Sequence, residues 1–379
     1  MIIKSLYDID ILINNISLLD GGNAIGVKCS IIEDISSSIP TCNLEFNSSP
    51  EFMSKYPIVD GTPIAVKINI AGANEEKIYK FRTTRIITTP NGQLFNYFIA
   101  GVIDFYELFR SSVKYAQKST SSEVFTNVAQ KNNLSAVICQ TKDKQLWVAS
   151  EQNLGKWLAN IASCGWASET SGMMWFLDRE KTLYYIDVDR ILSESSNFVT
   201  FVPGQMTKQN ILGNTMPFGS MRLEANSGDD NLFNNGYGGE NRYFSVEDYK
   251  WHSFSPNKVR ATSNIININQ ELSQGLEENF CELDTGNFHS HYFLAKDQNS
   301  RVLSTYSTYV HLNCELFKDI KLGQVCTIQG TNASAPVETN VTNIKFFTKT
   351  IRTFITAKDI GMQITLCGQG YNSYSQESY

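Results

Sequence analysis

A mainly β chain carrying small α+β inserts is the fold class this sequence predicts, and three observations predict it. Apolar residues alternate at period two through residues 1–112 and again through 300–370. Gly, Asn and Asp clusters punctuate those stretches at hairpin spacing. Between them, residues 113–202 hold two amphipathic helical stretches and a tight hairpin. The order that results is antiparallel β barrel, small α/β insert, irregular insert, second antiparallel β barrel.

In residues 1–112, Ile9, Ile11 and Ile13 share one face, as do Val27, Cys29 and Ile31, and Cys42, Leu44 and Phe46. Ile64, Val66, Ile68 and Ile70 repeat the pattern, and Phe95, Tyr97 and Ile99 close it. Side chains alternate across a strand, so each set marks a face turned to a core. Asp20-Gly21-Gly22-Asn23, Asp60-Gly61, Gly72-Ala73-Asn74 and Pro90-Asn91-Gly92 mark the turns. Asn91-Gly92 predicts a hairpin, because that pair tolerates the positive φ of a two-residue turn.

Residues 113–202 read as a small α/β insert. A first helix is predicted near 121–130, with Thr120 and Glu123 at capping-box spacing. A second is predicted over 151–164, starting at Ser150 and placing Leu154, Trp157, Leu158, Ile161 and Ala162 on one face. Gly165 reads as its left-handed stop. A hairpin over 173–188 follows, with Asp178-Arg179-Glu180-Lys181 as a polar turn. The second barrel is assigned to 203–240 and 300–370, with strands at 302–312, 325–329 and 345–356 and an Asp359-Ile360-Gly361 turn into the last strand. Residues 241–299 read as an irregular insert with a helix near Phe288–Asp297, and 371–379 as a flexible polar tail.

The 379 residues exceed what one core usually serves. Hydrophobic content is 42% and charged content only 18%, with Asn, Ser and Thr making up much of the polarity. That mix suits a wet assembly surface and equally an A/T-rich genome. The net charge of −6 offers no basic stripe for gripping phosphates. Eight cysteines occur without C-x-x-C spacing, several inside apolar runs, which fits buried free thiols in a reducing compartment. Asp8 and Asp10 follow Met1 too closely for a signal peptide, and no apolar run reaches membrane-span length. Synthesis in a cytoplasm is expected, without stable membrane insertion.

Chemistry-bearing clusters are few. His289-Ser290-His291 on a strand would place two rings on one face, with Cys281 and Glu282 as further ligands, but zinc needs three or four ligands at supported spacing. His289, His291, His252 and His311 are read as surface polar groups. Asp229, Asp230 and Glu240 lie in a Gly/Asn loop, where acids are usually turn formers rather than a glycosidase pair. Gly236-Tyr237-Gly238-Gly239 lacks the Lys-Ser/Thr of a phosphate loop. No G-x-S-x-G or H-E-x-x-H occurs. No catalytic, cofactor-binding or metal residue is assigned, and no enzyme activity is expected. Trp157 is expected in the core, with Trp166 and Trp175 packed beneath the helix-to-hairpin link.

Residues 121–188 resemble the baseplate hub family of phage tails, which includes the late-control tail proteins and the hub part of the type VI secretion spike. The family's pattern is a short helix, a Gln before a second helix of the form Leu-x-x-Leu/Ile-Ala-x-x-Gly, then an aromatic, Asp-rich hairpin. Here it reads Val124-Phe125 and Val128-Ala129, Gln152-Asn153-Leu154, Trp157-Leu158-Ala159-Asn160-Ile161-Ala162 with Gly165, then Trp175-Phe176-Leu177-Asp178 and Tyr184-Tyr185-Ile186-Asp187. Leu322-Gly323-Gln324-Val325 is similar to the family's Leu-x-Pro-Gly-x-x-Val, without the Pro.

The resemblance implies two tube-type antiparallel β barrels per chain, interrupted by small inserted domains. It implies a homotrimer forming a pseudo-sixfold ring that adapts the hexameric tail tube to the trimeric central spike. Tail tube, spike and other baseplate proteins would be partners, in a virion tail baseplate made in a host cytoplasm. DNA would pass through at genome ejection without sequence-specific binding. Two alternatives stand beside it: the hub of a related contractile injection system, and a receptor- or glycan-binding tail module using aromatics such as Tyr237 and Trp251.

Overall fold

The computed structural model describes residues 7–20, 22–70, 76–109, 113–194, 199–204, 214–224, 240–254, 278–284, 287–300, 302, 306, 308–315, 317–329, 345–357 and 359–368. The architecture is mainly β with α+β inserts. The N-terminal strands are β1 (Tyr7–Ile13), β2 (Ile16–Ser17), β3 (Ile25–Asp34) and β4 (Thr41–Ser48), then α1 (Phe52–Lys55), β5 (Pro63–Ile70), β6 (Glu76–Asn91) and β7 (Leu94–Ile103). Val27, Cys29 and Ile31 of β3, Cys42, Leu44 and Phe46 of β4, and Ile64, Val66 and Ile68 of β5 all point inward, as period two requires. Each fully buried Ile, Leu or Phe contributes about 1.5–3 kcal/mol relative to exposure.

The insert contains β8 (Val113–Ser119), α2 (Ser121–Lys131), β9 (Ala136–Ile138), β10 (Gln145–Gln152), α3 (Leu154–Cys164), β11 (Met173–Leu177), β12 (Leu183–Asp187) and α4 (Val188–Glu194). Then follow β13 (Val199–Pro203), β14 (Thr215–Phe218) and β15 (Ser220–Glu224). The next segment holds β16 (Glu240–Ser245), β17 (Lys250–Phe254), β18 (Glu278–Asp284) and α5 (Tyr292–Ser300). The C-terminal strands are β19 (Thr308–Cys314), β20 (Val325–Ile328), β21 (Phe346–Thr356) and β22 (Ile360–Gly368).

One 14-stranded sheet spans both ends of the chain. Its N-terminal part runs β3-β4-β7-β6-β5-β1-β2, and its C-terminal part holds β13–β15 and β19–β22. The two parts meet where β21 pairs antiparallel with β3, from Thr350 opposite Asp34 to Thr356 opposite Lys28. The sheet is not wholly antiparallel: β13 lies parallel to both β14 and β20. The described residues between 240 and 300 form a three-stranded sheet β17-β16-β18 followed by α5.

The local signals hold where the partners are local. The α2 capping box forms: Glu123 N–H donates to Thr120 Oγ1 at 3.3 Å, and Thr120 N–H to Glu123 Oε2 at 3.0 Å. The β6–β7 hairpin forms too, but its central residues are Gly92 and Gln93, since Asn91 pairs with Leu94. Gly92 sits at φ +63°, the position a II′ turn gives to glycine.

Two expectations about α3 are corrected. The helix starts at Leu154, not at 151, because β10 runs through Gln152 and Asn153 is the N-cap, accepting from Lys156 N–H at 2.8 Å. Gly165 is not left-handed: its φ is −68° and ψ 138°. Glycine is needed there for space, since a Cβ would collide with the Tyr185 hydroxyl. The carbonyls a left-handed cap would satisfy go to Asn299 of α5 instead. Its Nδ2 donates to Ala162 O (3.0 Å), Ser163 O (3.2 Å) and Gly165 O (2.8 Å), and its Oδ1 accepts from Met173 N–H at 2.9 Å. Asn299→Ala is expected to cost about 1–3 kcal/mol by removing these hydrogen bonds, although Ala162 O keeps the Gly165 N–H; urea denaturation reads it, and an unchanged midpoint would show that water serves the freed groups as well.

Candidate assembly surface and the junction behind it

β6 is the longest strand described, and only the short stretch Phe81–Thr83 at its middle has main-chain partners on both sides. β5 pairs with it from Glu76 to Arg82, while β7 pairs with it from Phe81 to Asn91. Thr83 makes the last main-chain contacts on the β5 side, to Gly61 and Thr62. From Thr84 to Asn91, that edge has no main-chain partner among the described residues. β7 is paired with β4 along Thr41–Ser48, so the open edge belongs to β6 alone. A bulge between Thr83 and Arg85 marks where the arm departs.

The arm reads Thr84-Arg85-Ile86-Ile87-Thr88-Thr89-Pro90-Asn91, and all but Ile86 are exposed. Ile87 is 38% exposed. β-branched residues favour strands, and an unpaired edge of this kind is a template for another strand. Pro90 sits near the tip, where a missing N–H costs the ladder least. The Asn91-Gly92 hairpin signal implies a strand leading into it, but the outer half of that strand has no buried face and therefore no alternation. The signals present were its run of β-branched residues and the Pro at its end. Two further exposed apolar sets lie elsewhere: Leu146 and Val148 on β10, and Tyr249 and Trp251 on the β16–β17 hairpin, 76% and 59% exposed.

Behind the base of β6, the insert is pinned to both parts of the sheet by one side chain. Arg179, in the turn between β11 and β12, is 1% exposed, contrary to its reading as part of a polar turn. Its Nη1 donates to Glu33 Oε2 of β3 at 2.5 Å, and its backbone N–H to Glu33 Oε1 at 3.0 Å. Its Nη2 donates to Asp319 Oδ1 at 2.9 Å and to Ile320 O at 3.1 Å. The guanidinium also lies against the rings of Tyr79 and Phe317. Asp178 Oδ1 receives Glu180 N–H and Thr182 N–H, which holds the turn in shape.

A rim of charges surrounds this anchor. Lys77 of β6 meets Glu180 at 2.9 Å and Asp319 at 3.1 Å, and Lys321 meets Glu180 at 2.5 Å and Asp319 at 3.2 Å. Burial disfavours the Asp319 carboxylate, but Arg179, Lys321 and Lys77 outweigh it and hold the group below its ordinary range. Glu180 is likewise held down against burial by hydrogen bonds from Lys321 and Lys77. Both folded values lie below the unfolded ones, so their stabilisation is complete above the unfolded values, about 3.9–4.3, and is lost as pH falls through the folded values. Stability is expected to drop below about pH 4, and Asp319→Asn should flatten that drop in denaturation curves taken from pH 7 to pH 2.5; an identical pH dependence would show that the rim carries no linkage.

A second buried polar centre secures the insert itself. Asp143 is fully buried and accepts four hydrogen bonds. Oδ1 receives Ser121 N–H (2.9 Å) and Thr141 Oγ1 (2.8 Å), while Oδ2 receives Ser121 Oγ (2.5 Å) and Trp166 N–H (2.8 Å). The carboxylate lies at the N-terminus of α2, where the helix dipole favours an anion. Ser121 Oγ also meets the Tyr185 hydroxyl at 2.9 Å. The centre is buried, and the carboxylate's four acceptor contacts are spent on tying α2 to the segments at Thr141 and Trp166.

The structure does not gather the chemistry-bearing residues of the sequence into one place. His289 and His291 lie in the turn before α5, not on a strand: His289 Nε2 meets Cys164 O at 3.0 Å, and His291 stacks on Trp166 at 3.8 Å. His252 pairs with Asp248 at 2.8 Å, and His311 lies between Thr365 and Glu224. Asp229, Asp230 and Gly236–Gly239 fall outside the described residues, as do the side chains of Glu240, Cys281 and Glu282. Among the described residues, no three His, Cys, Asp or Glu side chains are grouped as a metal site. Trp157 and Trp175 are core residues.

No protein-family model matches the chain, and no curated protein matches it. Its fold is similar to two solved tail proteins over nearly their full length. One is the tail protein from Neisseria meningitidis MC58, at TM-score 0.58 and 10% identity, covering 95% of this chain and 96% of that one. The other is the 43 kDa tail protein of prophage MuSo2 from Shewanella oneidensis, at TM-score 0.58 and 9% identity, covering 94% and 97%. The likeness is one of fold.

Proposed function

We propose that this chain is a structural baseplate hub of a phage tail. Three copies form a pseudo-sixfold ring that joins the hexameric tail tube to the trimeric central spike and lets DNA pass. The observation that carries this reading is the end-to-end agreement in fold with two tail proteins. In this reading residues 1–112 form one tube-type barrel, 203–240 with 300–370 form the other, and 113–202 and 241–299 are inserted domains. The open β6 edge supplies the contact between neighbouring copies, which also removes its aggregation hazard. A head-to-tail contact of this kind closes into a ring. The net charge of −6 is compatible with a lumen past which DNA slides without sticking. The chain acts in the virion tail after synthesis in the host cytoplasm, with tube, spike and other baseplate proteins as partners and without catalysis.

Mass in solution, measured with and without the spike protein, tests this: a trimer with an axial channel in electron micrographs is expected, and a monomer under both conditions would defeat it. Ile87→Lys should weaken the trimer about tenfold or more, equivalent to roughly 1.4 kcal/mol, with the circular dichroism spectrum unchanged. A second reading, a glycan-binding tail module, is favoured by the exposed Tyr249 and Trp251. Glycan-array binding that Trp251→Ala removes from an intact oligomer would select it.

A further inference from the structure

Cys29 on β3 and Cys42 on β4 lie side by side in the core, with their Sγ atoms 3.7 Å apart. The strands pair antiparallel with Cys29 opposite Leu44 and Ile31 opposite Cys42, so the thiols are diagonal neighbours on the same buried face. They stand at the base of the turn that joins β3 to β4. Several of the contacts that join the insert and the C-terminal strands to the N-terminal sheet are made at that turn and at the end of β3 that leads into it. Glu33 receives Arg179 of the insert, and Ser38 O receives Leu177 N–H at 2.9 Å. Asp34 receives Thr350 Oγ1 of β21 at 2.6 Å, and Ile35 N–H donates to Lys349 O at 3.0 Å.

We propose that Cys29 and Cys42 are an oxidative modification site: a peroxide-class oxidant joins them in a disulfide that locks this turn. One sulfur, as thiolate, attacks the peroxide and becomes a sulfenic acid, releasing hydroxide that takes up the thiol proton as water. The second thiol displaces that hydroxyl as water and forms the S–S bond. Two thiols and one peroxide give one disulfide and two waters. The hydrogen bond between the thiols and their burial push the Cys42 thiol upward, so the step needs transient opening of the strand pair and is slow in the closed sheet. The bond closes the chain around the turn and narrows the unfolded ensemble, leaving the contacts of Glu33, Asp34 and Ser38 in place.

The test uses the full, reduced chain and hydrogen peroxide. Urea is first raised to the concentration at which iodoacetamide begins to label Cys42, so access is assured. The protein is oxidised there, denatured, alkylated, digested and mapped. The expected product is a peptide pair joined through Cys29 and Cys42. After urea is removed, the thermal midpoint should rise by several degrees and return on reduction. Cys29→Ala should abolish the crosslinked pair, and Cys42→Ala gives the same reading should the first fail to fold. Recovery of both thiols alkylated or separately over-oxidised, preferential pairing of either with another cysteine, or a crosslink that leaves the midpoint unmoved would each overturn the proposal.

Discussion

Arg179→Ala is expected to destabilise the chain by about 3–5 kcal/mol, the cost of leaving a buried charge without its partner. Glu33 lies at 1% exposure beneath the guanidinium, and burial already pushes its carboxyl upward against the pull of Arg179. Without Arg179, Asp319 and the Ile320 carbonyl also lose a donor. Arg179→Lys should recover little, because one ammonium cannot reproduce a planar fork serving Glu33 on one side and Asp319 and Ile320 on the other. The double change Glu33→Gln with Arg179→Met should lie well above Arg179→Ala in stability, since it removes the buried charge together with its partner. Guanidinium denaturation of the four proteins measures this. A loss under 1 kcal/mol for Arg179→Ala would show that the cluster contributes geometry without energy. Limited proteolysis adds a spatial reading: cleavage should appear first within the insert, whose hairpin turn has lost its anchor.

Asp143→Ala is the second large loss. It leaves the Ser121 N–H and hydroxyl, the Thr141 hydroxyl and the Trp166 N–H around an empty centre. A buried donor left unsatisfied costs about 1–3 kcal/mol, and two or more such groups give roughly 4 kcal/mol in total. Asp143→Asn keeps the volume but turns an amide NH2 toward two of the four donors, so an intermediate loss is expected. Hydrogen exchange should show the effect concentrated in α2, whose first turn loses its anion. A stability unchanged by Asp143→Ala would mean that a water takes the carboxylate's place with all its hydrogen bonds.

These two residues show where sequence reading stops. Thr120 and Glu123 could be read as a capping box because donor and acceptor lie three residues apart and satisfy each other. Leu154, Trp157, Leu158 and Ile161 were legible as one face because helical period is local. Asn299 was not, since it closes the end of α3 from 134 residues away. Sequence made Gly165 the stop for that helix, whereas its lack of a side chain serves the Tyr185 hydroxyl instead. Arg179 was placed in a solvated turn for the same reason. Nothing within that turn reveals Glu33, 146 positions earlier, or Asp319, 140 positions later. The open arm of β6 escaped because alternation reports burial, and that arm has none. The His289-Ser290-His291 spacing suited one strand face, but the segment folds as a helix approach in which each ring serves packing.

The β3–β21 pairing also sets a timetable. Thr350 reaches Asp34 across 316 residues of chain, so the edge of β3 has no mate while the ribosome is still working. At about 5–20 residues per second, that interval lasts roughly 16–63 seconds. During it, a strand bearing Val27, Cys29 and Ile31 is exposed to every other nascent copy nearby. Yield of soluble protein should therefore fall with translation rate per cell more steeply than the stability of the finished chain would indicate, and chaperone supply should matter most before residue 356 has emerged.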